Sequence, residues 1–133
     1  MANISPRQFY DELIRQMPHG LERALLRVLS YHIGKDKAIS RPELLNDLAR
    51  MGFRVHDRQA RKGIEELRNN GHLIGASSGD GGYYIIADQA EFEAYIAEET
   101  SRATKILNRL RAQEEQAKKV FSRASGSAQA SLF

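Results

Sequence analysis

The chain contains no cysteine, which excludes disulfide staples, thiolate nucleophiles and cysteine-ligated zinc. Proline is scarce, with three in 133 residues, and glycine is modest at ten. So few breakers favour helices over a sandwich of many short strands. The four histidines are scattered, none is paired at a metal-binding helical spacing, and neither metal nor cofactor is expected. No apolar run approaches the roughly 20 residues that a membrane-spanning helix needs. The opening MANISPRQFYDEL lacks the basic-then-apolar order of a secretory signal. The expectation is a cytoplasmic protein with no membrane partner.

What is present looks like an ordinary folded chain. Hydrophobic residues make up 41% and charged residues 28%, near the average for globular proteins, and the length suits one domain with a real core. The formal charge is +3 and the isoelectric point about 9.3. That balance permits contact with phosphate but does not single it out. The distribution of charge has to decide.

Five helices and one ribbon are predicted along the chain. Ser5, Pro6 and Gln8 have the composition of a capping box with proline in the first turn; Phe9, Leu13 and Met17 then share a face, and Pro18-His19-Gly20 ends the element. A second helix is expected over 21–33, with Gly34 closing it. Ala38-Ile39 has room for a very short strand. Ser40, Pro42 and Glu43 start a third helix, whose buried stripe should be Leu44, Leu45, Leu48 and Met51. After the turn Gly52 to His56, Asp57 is the expected cap of a fourth helix running to about Asn70. There Ala60, Ile64 and Leu67 recur at spacings of four and three and mark the inward face. Leu73 to Ala76 and Tyr83 to Ile86 have strand composition around a polar, glycine-rich connection, which makes a hairpin. Tyr83 and Tyr84 must point to opposite faces of it.

Asp88 and Glu91 frame the start of a last, long helix, expected to reach about Phe121. Ile96, Ala103, Leu110 and Ala117 repeat every seven residues, flanked by Thr100, Leu107 and Phe121, with Ile106 and Val120 beside the seam. This stripe either pairs two subunits or lies back on its own domain. Seven Lys or Arg residues against two Glu lie between Arg102 and Arg123. The closing SRASGSAQASLF, poor in bulky apolar residues, is expected to be disordered. The fold class is therefore mainly α with a small β-hairpin. Residues 1–88 form the main domain with an N-terminal helical extension, 89–121 a possible dimerisation helix and 122–133 the tail.

Charge gathers around the fourth helix. From Arg50 through Asn69 there are six basic residues against three acidic ones. With Ala60, Ile64 and Leu67 inside, Arg58, Gln59, Arg61, Lys62, Glu65, Arg68 and Asn69 are left around the outer surface. Arginine can bond guanine through two hydrogen bonds and glutamine can do the same to adenine, so Arg58 and Gln59 are the candidate base readers. Arg54, Arg61 and Lys62 suit phosphate, with Arg68 extending the surface. His56 is a turn residue whose functional alternative is a phosphate contact. Ser78, in the glycine-rich hairpin connection, is a further candidate for phosphate. No converging acid, base, nucleophile or ligand set points to an enzyme.

The segment RPELLNDLARMGFRVHDRQARKGIEELRNNGHLIGASSGDGGYYIIAD, Arg41 to Asp88, resembles the winged helix-turn-helix domains of bacterial and phage regulators and replication proteins. The shared pattern is a basic helix running into IEELRNNGHLI, then a glycine-tipped wing ending GGYYI. EFEAYIAEETSRATKILNRL looks like the helix that follows the wing in small phage-associated members. The resemblance implies that Arg58, Gln59, Arg61 and Lys62 read double-stranded DNA and that the wing tip lies at Ser78 to Gly81. Asp80 stands there in place of the frequent Lys or Arg. The expected function is double-stranded DNA binding in transcriptional regulation or in phage or plasmid replication, at the nucleoid or in an infected host's cytoplasm. A homodimer through the last helix and a replication or transcription protein partner are further expectations. The alternative is a protein-interaction module within a DNA-associated complex.

Overall fold

The computed structural model describes residues 4–77 and 82–125. They form helices α1 (Pro6–Gln16), α2 (Leu21–Leu29), α3 (Arg41–Arg50), α4 (Asp57–Asn69) and α5 (Gln89–Ser125), with strands β1 (Ile74–Ala76) and β2 (Tyr83–Ile85) between the last two. A single 3-10 turn, Lys35–Lys37, joins α2 to α3. The fold is mainly helical with one small antiparallel ribbon. Among the described residues, no helix is long and apolar enough to cross a membrane.

α1 starts as its composition predicts. The Ser5 hydroxyl accepts the Gln8 N–H at 3.1 Å and Gln8 Oε1 accepts the Ser5 N–H at 3.0 Å, which satisfies two otherwise orphaned donors. Its inward face, however, is turned by one residue from Phe9, Leu13 and Met17. Tyr10 and Ile14 are buried, while Leu13 and Met17 are half-buried and Phe9 is 49% exposed. Tyr10 takes the inner place because its hydroxyl has a partner there: it accepts the Leu73 N–H at 2.8 Å. A buried ring with a satisfied polar end is a stable arrangement.

α2 ends at Leu29, four residues short of Ile33, because the following backbone joins the ribbon. Ile85 donates to the His32 carbonyl and accepts the Gly34 N–H, both at 2.8 Å. Gly34, with φ of 102°, therefore leads into the 3-10 turn and does not close the helix. Ile39 and Tyr83 exchange both backbone hydrogen bonds at 2.9 Å, so the short strand expected at Ala38-Ile39 is one residue wide. In α3, Leu44 and Leu48 are buried, Leu45 is half-buried, and Met51, expected in the stripe, is 43% exposed. β1 and β2 pair Ile74 with Ile85, Gly75 with Tyr84 and Ala76 with Tyr83. The buried Tyr84 ring lies so close over Gly75 that a Cβ there would stand 2.3 Å from the ring.

Residues up to Phe92 form one compact unit and those from Glu93 another. The core of the first gathers Leu25, Leu26 and Leu29 of α2 with Leu44, Leu48, Ile64, Leu67, Ile74 and Ile85, and each such side chain contributes about 1.5–3 kcal/mol on burial. Asp88 Oδ1 accepts the Glu91 N–H at 2.8 Å and caps α5. Glu91 in turn accepts from Ala87 and Lys35 backbone N–H groups.

The described part of the second unit is the rest of α5. Ile96, Ile106, Leu107, Val120 and Phe121 are each 39–53% exposed along it, and Leu110 and Ala117 are half-buried. Ion pairs along it include the local ones of Arg102 with Glu99 and of Lys118 with Glu114 and Glu115. The helix continues through Ser125, so residues 122–125, expected in the disordered tail, are its last turn. Residues 126–133 lie outside the described part.

Candidate functional site

The ribbon and α2 hold α4 by one face. Ala60, Ile64 and Leu67 are buried as their spacing requires, and Gly63 joins them. A Cβ on Gly63 would stand 2.6 Å from the Leu25 Cδ1 atom, so the absence of a side chain is what lets α4 approach α2 this closely. Nothing in the apolar period marked that glycine, since it sits beside the stripe and carries no hydrophobic group.

With that face fixed, the helical repeat puts Arg58, Lys62, Glu65 and Asn69 in the outermost row, at spacings of four, three and four. All four are exposed. Arg61 flanks this row on one side, with Arg68 further along. Gln59 and Glu66 flank it on the other. The first half of α4, 57–62, holds three cations and one carboxylate, whereas 63–69 holds one cation and two carboxylates. The positive end is thus the N-terminal end, next to the exposed Arg54 of the α3–α4 turn. Neither Arg54, Arg58 nor Lys62 enters an ion pair among the described residues.

The helix start differs from expectation. The cap is His56, and Asp57 is the first helical residue. His56 is exposed and its N–H donates to Gln59 Oε1 at 2.9 Å. Gln59 is also exposed, but one end of its amide is occupied by this cap. Pairing with adenine would make Oε1 share its two lone pairs between the cap and the base. Asp57, displaced from the cap, turns to arginine: its Oδ2 lies 2.9 Å from Arg61 Nε and 3.6 Å from an Arg41 nitrogen. The Asp57–Arg61 pair was available from its i, i+4 spacing. The Arg41 contact was not, because it joins two helices.

The candidate residues therefore fall into groups. Arg54, His56, Arg58, Gln59, Arg61 and Lys62 all belong to the turn and the first half of α4. Arg68, half-buried, stands about 15 Å farther along the axis than Arg58 at 1.5 Å per residue. Ser78 lies outside the described residues, as do residues 79–81, the tip that the resemblance implies. A cleft of about 580 Å³ runs beside α4, with Gln59, Lys62 and Glu66 on one side and His19 and Arg23 on the other. Among the described residues, no cluster of three or more histidine, aspartate or glutamate side chains is placed to hold a metal ion. Comparison with protein-family models, curated proteins and solved structures finds no match.

Proposed function

We propose that this chain binds double-stranded DNA, with α4 entering the major groove as the recognition helix. One observation carries the reading. α4 buries Ala60, Gly63, Ile64 and Leu67 and leaves Arg58, Arg61 and Lys62 exposed in its N-terminal half, the half that meets base edges in helix-turn-helix proteins. At 13 residues α4 is about 20 Å long, and a helix fits a groove about 12 Å wide. Arg58 is the base reader and Lys62 its outward neighbour; Arg54 and Arg61 contact phosphate and set position. Gln59 contributes through the donor end of its amide. Control of transcription, or a role in phage or plasmid replication, is the setting that suits such a module.

α5 serves this function as a subunit-pairing element. Its exposed apolar residues span about 38 Å between positions 96 and 121, and Ile106 with Leu107 recurs as Val120 with Phe121, two seven-residue repeats along. Two copies so joined present two α4 helices, which favours a pseudo-palindromic target with half-sites about 34–36 Å apart.

Selection from a random duplex pool, followed by affinity measurements on the recovered sequence, tests the main reading. Arg58→Ala should weaken the selected site by about 1–3 kcal/mol and relax preference at one base position. An unchanged order of preference after Arg58→Ala and Gln59→Ala removes both from the reading surface. Failure to retain any duplex at modest salt would favour the interaction-module alternative, in which the same face meets an acidic protein.

A further inference from the structure

Between α3 and α4 three charged side chains form an arrangement that the α4 surface alone does not reveal. Asp57 Oδ2 engages Arg61 Nε at 2.9 Å and an Arg41 terminal nitrogen at 3.6 Å. Arg41 is the first residue of α3, and Asp57 and Arg61 lie on the first turns of α4. The side chains of Arg41, Asp57 and Arg61 are 40%, 42% and 51% exposed. Each guanidinium carries five N–H donors, and the single carboxylate oxygen engages one nitrogen of each. Both arginine side chains remain part exposed.

We propose that Arg41, Asp57 and Arg61 form a preorganised clamp for the phosphodiester backbone, with Asp57 as the positioning residue and the two arginines as the contacts. This rests on the duplex-binding reading and adds to it a contact from α3 and a role for an acidic residue. The physical case has two parts. The triad keeps a net positive charge, so the carboxylate does not cancel the attraction to phosphate. It also holds two long side chains in place before DNA arrives, which lowers the ordering cost of binding, and arginine's planar fork then offers paired donors to phosphate oxygens. Arg54 and Arg58 lie on the same stretch of chain and extend the positive surface on which the strand would run.

Charge alone and positioning make opposite predictions for Asp57→Asn. Removing a negative charge from a DNA-binding face should tighten the complex if only net charge matters. The clamp requires it to weaken, by about threefold at 100 mM salt, because both arginines lose their tether. Arg41→Ala should weaken binding about three- to tenfold at that salt and reduce the slope of log K against log salt by about 1. The experiment measures full-length protein on one selected duplex across a salt series, with helical content and urea midpoint checked for each variant. Arg41→Ala leaves the start of α4 intact, so it carries the test if Asp57→Asn proves unstable. Tighter binding by a folded Asp57→Asn, or an unchanged salt slope for Arg41→Ala, overturns the clamp while leaving duplex binding in place. If the unaltered protein retains no duplex, both readings fall.

Discussion

His72 and Gly75 illustrate how single residues are constrained here by their neighbours. The His72 ring lies 5.9 Å from the buried Tyr10 ring, and burial lowers its pKa below the usual histidine value, with the Glu22 carboxylate acting weakly in the opposite direction. The folded state therefore binds that proton less readily than the unfolded chain. Stability from this site is present above the ordinary pKa near 6.5 and is lost as pH falls through it toward the folded value. Urea midpoints at pH 7.5 and 5.5 should show the loss, and His72→Gln should reduce it; an equal drop in the variant would assign the effect elsewhere. Local composition marks Gly75 only as a strand residue. Its need for a bare Cα comes from Tyr84 across the ribbon, and a cross-strand ring contact leaves no mark in the local composition.

At the scale of elements, what could be read from the chain divides by the range of the interaction. The start of α1 at Ser5, the inward positions of α4 and the strand pairing followed from capping chemistry and apolar period, all set within a few residues. The early end of α2 did not, because Ile85, more than fifty residues away, takes the hydrogen bonds that would have extended the helix. The face of α1 escapes the apolar period for the same reason: Leu73 supplies the donor that draws Tyr10 inward. The apolar period correctly turned the basic side chains of α4 outward, yet it could not anticipate that the cap at His56 would occupy Gln59. Tyr10→Phe tests the long-range link. It leaves the Leu73 N–H without its acceptor and should cost about 1–2 kcal/mol. Faster hydrogen exchange at that amide should accompany the loss, and unchanged exchange would mean that the bond does not hold the ribbon to α1.

At the scale of the whole molecule, α5 bears on how many chains act together. A row of apolar side chains each about two-fifths to one-half exposed on α5 is a surface on which a second copy gains by burial. Sedimentation equilibrium at micromolar concentration should give about twice the chain mass of 15.0 kDa. Leu107→Lys with Leu110→Lys should return it to the single-chain value while leaving the helix content nearly unchanged. A parent protein that already sediments as one chain removes pairing through this helix. Small residues at Ala103 and Ala117 and the carboxylate of Glu114 near the seam argue for an exchangeable pair, held more weakly than a leucine-rich zipper.

The two-way bond between Ile39 and Tyr83 has a mechanical consequence. Ile39 immediately precedes Ser40, the cap from which α3 and Arg41 begin, while Tyr83 opens β2. One stitch thus fastens the ribbon to the entrance of α3. A load on the ribbon would be transmitted through that stitch to α3, so ribbon and helix should move as one piece.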